Sequence, residues 1–126
     1  INRPDLVQRG GKYPPPPGES EILGLEVSGV VDDLGPGVSG WKKGDRVMSL
    51  VGGGGYSEYA VAYANHPMRI PECMSFEEAA CVCESYITAF LNVFILGELA
   101  DEVQEVVDEA TTPSAIAAAI DSACPE

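Results

Sequence analysis

The stretch ILGLEVSGVVDDLGPGVSGWKKGDRVMSLVGGGGYSEYAVAY, residues 22–63, decides the fold of this chain. Short β-branched runs alternate in it with glycine-rich turns, and a helical pattern starts only after it. That order predicts a small, strongly bent β-domain followed by helix. Residues 22–32 read as a strand, with Gly24 and Gly29 marking bulges or close backbone approach. LGPG at 34–37 is a tight turn, and WKKGD at 41–45 a second one leading into a strand over 46–50. Gly52 to Gly55 form a flexible turn, YSEYAVAY at 56–63 reads again as a strand, and 68–71 as a short extended piece.

On the N-terminal side, NRPDLVQR at 2–9 has a helix's punctuation: Asn2 at its start, Pro4 in the first turn, Gly10 and Gly11 at its stop. YPPPPG at 13–18 is an extended, stiff connector, because consecutive prolines enforce polyproline geometry. On the other side the period changes at Ser75. Ser75 and Glu78 make a capping box, and a helix is predicted through Leu96, with Gly97 as its stop. Residues 101–110 are helical in pattern, with Val103, Val106 and Val107 on one face. Thr112 caps and Pro113 opens a last helix through Ala123.

At 126 residues the chain fits one domain. Its charge is lopsided. Residues 1–69 hold all seven Lys and Arg against eight acidic residues, while 70–126 hold twelve acidic residues and no base. A net charge of −13 repels phosphate backbones and anionic lipids, so nucleic-acid binding is rejected. An acidic tail solubilises a chain or docks on a basic partner. The longest apolar stretch, 85–97, falls short of the about 20 residues that cross a bilayer, so no transmembrane segment is expected. The chain opens at Ile1 rather than Met, so a processed or partial product is expected.

Metal and hydrolytic chemistry lack residues. Cys81 and Cys83 are two apart, which is neither a zinc knuckle nor a redox motif. With Cys73 and Cys124 they are expected to be reduced structural thiols. The lone histidine, His66, sits beside Pro67 in a loop with no nucleophile near it. The four-glycine run is not a phosphate loop, because a strand pattern rather than a helix follows it and no Lys-Ser or Lys-Thr closes it. No G-x-G-x-x-G lies between a strand and a helix.

Three stretches, in order, resemble one family. INRPDLVQRGGKYPPPPG is similar to its Asn-Arg-x-Asp-Leu, Gln-Arg and Tyr-before-proline pattern. ILGLEVSGVV with LGPGVSGWKKGDRVM resembles its strand, turn and Gly-Asp-x-Val element. GGYSEYAV, IPECMSFEEAA and the helix ending TAFLNVF complete the likeness over residues 1 to 97. The family is the medium-chain dehydrogenase/reductases, in their zinc-independent quinone oxidoreductase branch. Its zinc alcohol dehydrogenases carry Gly-His-Glu where this chain has Gly24-Leu25-Glu26, and a zinc-binding Cys where it has Asn2. With both ligands gone, the resemblance implies chemistry without a metal.

The resemblance implies an α+β fold: a mostly β, GroES-like partial barrel over residues 1–99, lacking its first strands and followed by helices. It implies NADPH as hydride source, a quinone as acceptor, and Asn2, Tyr13 and Thr88 lining the cleft between them as catalytic residues. From the residues alone, Asn2 is a helix cap, Tyr13 a core or turn aromatic, and Thr88 a helix residue bonding its own backbone. The family's Rossmann domain is expected after Leu99; residues 100–126 read instead as an acidic helical tail, and the family's Pro-Glu is Cys83-Glu84 here. No residue is assigned to the pyrophosphate or adenosine, so the chain alone is expected to bind no cofactor and to be inactive. Two readings remain. The chain is the substrate side of a quinone oxidoreductase, or a non-catalytic accessory subunit whose bare apolar face a protein partner covers. The compartment stays open, cytoplasmic or organellar.

Overall fold

The computed structural model describes residues 1–97. The expected helices between residues 101 and 123, the 100–126 tail and Cys124 lie outside the described residues. What is described is α+β, a three-stranded sheet with one helix before it and helical segments after it.

Helix α1 spans Arg3–Arg9 and ends at Gly10, whose N–H donates to Leu6 O at 3.1 Å. Asn2 takes the extended N-cap backbone, and Asp5 Oδ2 reaches back to accept its N–H at 2.7 Å. That contact satisfies an amide that the helix start would leave unpaired.

Strands β1 (Glu26–Val30), β2 (Arg46–Leu50) and β3 (Met68–Arg69) form an antiparallel sheet in chain order. Ser28 opposes Met48, and Met48 opposes Met68. Residues directly opposite share a face, so this row points one way while Val47 and Arg69 point the other. The first strand is shorter than the 22–32 expected. Gly29 is an ordinary member of it, paired with Val47 and crowded by nothing.

The helices cover the methionine face. α2 (Phe76–Ala79) opens on the capping box read from sequence: Ser75 N–H donates to Glu78 Oε2 at 2.8 Å, and Glu78 N–H to Ser75 Oγ at 3.2 Å. The expected continuous helix is interrupted. A π-helical turn, Val82–Tyr86, follows, then α3 (Ile87–Phe90) and a second π-helical turn, Leu91–Ile95. Met48, Met68, Ile70, Ala79, Val82 and Cys83 form the core. Arg46 locks the connection, stacking its guanidinium 4.8 Å from the Phe76 ring and donating to Pro71 O and Met74 O at 3.1 and 2.5 Å.

Three further expectations change. Residues 56–63 form no strand. The Tyr56 amide crosses to Leu23 O, the Ser57 amide closes a turn onto Gly54 O, and Tyr59 and Val61 stand 74% and 86% exposed. Alternation describes one face of a pleat, but a strand also needs an edge to pair with. The described helical stretch Phe76–Ile95 is, by length and composition alone, long and apolar enough to cross a membrane, because the helix continues back beyond residue 85. A core helix passes the same test, and Ala79, Val82 and Cys83 are packed into this domain's core, although only 17% of the stretch's apolar window is buried. Finally, Cys73 is disulfide-bonded, while Cys81 and Cys83 are free thiols, so the expectation of reduced cysteines fails at Cys73. Cys73 sits on an exposed turn, where a thiol meets partners that sequence spacing does not announce.

Candidate functional site

One carboxylate joins the start of α1, β1 and the first π-turn. Glu26 Oε1 accepts the Asn2 Nδ2–H at 2.6 Å, and Glu26 Oε2 accepts the backbone N–H of Glu84 at 2.9 Å. Ser85 Oγ then donates to Asn2 Oδ1 at 3.1 Å. Residues 2, 26, 84 and 85 thus form one polar network, and the carboxamide orientation of Asn2 is fixed from both ends.

The network lies at the break in the helix. A regular helix returns the amide of residue 84 to the carbonyl four residues earlier. Here that amide belongs to Glu26, and the ladder resumes with a five-residue step, Ile87 N–H to Val82 O. A π-turn is the form such an interruption takes, and such turns recur at functional sites.

The local electrostatics follow from three carboxylates sharing a partly dry corner. Burial first, then Glu26 and Asp5, push the Glu84 carboxyl above its ordinary value. Burial, with Glu26 adding to it, pushes the Cys83 thiol up to about 12. Partial desolvation and then the Asp5 carboxylate raise the Tyr56 phenol. Each shift has the sign expected when an anion is disfavoured.

Of the three residues expected in the site, Asn2 is in the network. Thr88 lies one turn beyond Ser85, exposed; among the described residues its carbonyl rather than its hydroxyl is engaged, accepting the Asn92 Nδ2–H at 2.7 Å. Tyr13 is 51% exposed and makes no hydrogen bond among the described residues. The structure therefore ties Asn2 through Ser85 to the helical stretch that carries Thr88. Glu26 and Ser85 were not legible as site residues. A lone acid between Leu25 and Val27 in a strand was the available signal, since a charge placed there needs partners. Ser85, three residues before Thr88, was the other.

Glu26 also lines a cleft of 830 Å³ with Val27, Val30, Tyr59 and Val61, between β1, the loop after it and the 57–62 segment. Asn2, Tyr13 and Thr88 are not among its walls.

The glycine run at 52–55 is not shaped as a phosphate cradle. Two of its amides are turned onto the chain itself: Gly54 N–H donates to Ile22 O at 2.6 Å and Gly55 N–H to Gly24 O at 3.0 Å. A Cβ on Gly53 would collide with Ser20 O, so these glycines serve close packing. Nor do three His, Cys, Asp or Glu side chains cluster as metal ligands among the described residues.

Comparison with known proteins places this geometry. Residues 1–72 match the family model of the alcohol dehydrogenase GroES-like domain. The synaptic vesicle membrane protein VAT-1 homolog of Danio rerio is 37% identical over 118 residues, covering 94% of this chain and 24% of that protein. That alignment extends past residue 99, into the stretch read from sequence as a tail. Quinone oxidoreductase of Rattus norvegicus is 34% identical over 95 residues, covering 75% of this chain and 29% of the enzyme. The crystal structure of human synaptic vesicle membrane protein VAT-1 homolog-like protein superposes with a TM-score of 0.62 at 36% identity, over 76% of this chain and 30% of that one. The chain spans about a quarter of the length of these curated relatives.

Proposed function

This chain belongs to the alcohol dehydrogenase GroES-like domain family, and from that we propose that it forms the substrate side of an NADPH-dependent quinone oxidoreductase. The Asn2–Glu26–Ser85 network carries this reading. Three separate elements converge there on a fixed carboxamide, and Nδ2 keeps one N–H beyond the bond to Glu26. A quinone is a flat apolar ring with two carbonyl acceptors. It is held by an apolar wall and a few placed donors; Asn2 is the placed donor, and the 830 Å³ cleft adjoins the network at Glu26, not at Asn2. NADPH enters by family likeness alone. No step of hydride transfer is assigned to the described residues. The likeness to quinone oxidoreductase supports the substrate class.

The test is a titration of the chain with duroquinone, whose fully substituted ring resists addition of the exposed Cys81 thiol. Shifts of the Asn2 and Ser85 resonances on addition support the assignment. Unmoved spectra at a saturated solution remove it.

A second reading, a non-catalytic accessory subunit, is favoured by one observation. Tyr59, Val61 and Tyr63 expose 74%, 86% and 63% of their surface in one short segment, and such a run wants cover. Saturable NADPH binding by the chain, followed by nucleotide fluorescence, overturns it; so does a stable monomer that recruits no companion.

A further inference from the structure

We infer that Glu26 is a positioning residue, which sets the orientation of the Asn2 carboxamide and, by withdrawing the Glu84 amide from the helix, swings Ser85 onto Asn2. This rests on the quinone-side reading above and names a residue that makes the site work without touching the ligand. Each oxygen of the carboxylate has one task. Oε1 takes the Asn2 Nδ2–H at 2.6 Å, and Oε2 takes the Glu84 N–H at 2.9 Å. Without the first, the carboxamide is free to flip and present its oxygen where its N–H stood. Without the second, the Glu84 amide has reason to rejoin the helical ladder, and the π-turn Val82–Tyr86 that carries Ser85 unwinds. Both bonds are made to a carboxylate in a partly buried corner, where charge-assisted hydrogen bonds are short and strong.

The network is open to a donor–acceptor exchange. In Glu26→Gln the new side chain has one accepting oxygen, which satisfies Asn2 or Glu84 but not both. Combining Asn2→Asp with Glu26→Gln restores the full set. The new amide oxygen takes the Glu84 N–H, its NH₂ donates to the new carboxylate, and that carboxylate still accepts from Ser85 Oγ. What the double variant lacks is the spare N–H at position 2 that faces a quinone carbonyl.

The experiment measures urea unfolding and duroquinone affinity for the full chain, E26Q, and N2D/E26Q. E26Q is expected to unfold at lower urea and to bind duroquinone about tenfold more weakly, the size of one charge-assisted hydrogen bond. The double variant is expected to recover the unfolding midpoint while its affinity stays low, which separates the loss of the position-2 donor from a loss of fold. Affinity unchanged in E26Q overturns the positioning role and leaves the quinone reading standing. Affinity recovered in the double variant overturns it as well. If the unsubstituted chain binds no duroquinone, the quinone reading falls, and the side-chain amide protons of Asn2 decide the rest. Their shift in E26Q supports the role of Glu26, and its absence overturns it. Should E26Q not fold, Glu26→Asp, which keeps the charge and withdraws it by one methylene, carries the measurement: weakened affinity supports the positioning role and unchanged affinity overturns it.

Discussion

Gly24 and Tyr56 lie so close that a β-carbon on Gly24 would sit 2.6 Å from the Tyr56 backbone nitrogen. The contact welds the segment before β1 to the end of the glycine run, and Tyr56 N–H donates to Leu23 O at 2.9 Å across it. Gly24 also has φ +103, where side chains are strained whatever the space. Gly24→Ala is therefore expected to destabilise by about 3 kcal/mol, combining left-handed strain with overpacking. Gly29→Ala, at a strand position that nothing crowds, is the control. Equal urea midpoints for the two variants refute the argument.

Ser75 and Glu78 satisfy each other's backbone amides at the start of α2. Ser75→Ala removes the side-chain acceptor and is expected to cost about 1 kcal/mol, which lowers the melting temperature by roughly 4–8 °C in a domain of this size. Glu78 is held below its ordinary carboxylate range by the Ser75 amide first and the Ser75 hydroxyl second. Calorimetry of the single variants and their double variant reads the coupling. Additive losses would show that the two residues act independently.

What was legible in the sequence is what local chemistry decides. α1 with its Gly10 stop, the strand 46–50 and the Ser75 cap all follow from residues within a few positions of one another. What escaped depends on partners far along the chain. Residues 56–63 carry a strand's alternation, yet their first amides are captured by Leu23 and Gly54. The helix after Ser75 has an unbroken helical pattern, yet Glu26, 58 residues earlier, takes the amide of Glu84 and turns it into a π-helix. Asn2 was legible as a site residue through family likeness. Its two side-chain partners were not, because a strand acid and a helix serine announce nothing of their meeting until the sheet and helix pack.

Cys81 and Cys83 are two residues apart and chemically unlike. Cys81 is exposed, whereas Cys83 is 3% exposed in the core, with its thiol pushed up to about 12. The thiolate is the reacting species, so the native Cys83 is inert at neutral pH. Under native conditions a maleimide is expected to label Cys81 and to spare Cys83, with both labelled in denaturant. Mass spectrometry of the digested chain reads the sites. Native labelling of Cys83 at the Cys81 rate would show that the helix does not stay packed on β2.

Asp45 supplies a pH dependence with a definite sign. Its Oδ2 accepts the Lys42 N–H at 3.0 Å and pairs with Arg69 Nη1 at 3.1 Å, and Arg69 lies over the Trp41 ring at 4.6 Å. The Lys42 amide most, and Arg69 in addition, hold the carboxyl below its ordinary 3.8 against the opposing cost of burial. A carboxyl whose folded value lies below its unfolded one binds more protons when unfolded. Its contribution is therefore complete above 3.8 and is lost as pH falls through the lowered folded value. Asp45→Asn keeps the shape and removes the titration. The variant is expected to be less stable than the parent at neutral pH, and the gap between their urea midpoints is expected to close as the medium is acidified below 3.8. A gap that stays constant on acidification would mean that the Asp45 charge contributes nothing to the turn between residues 41 and 45.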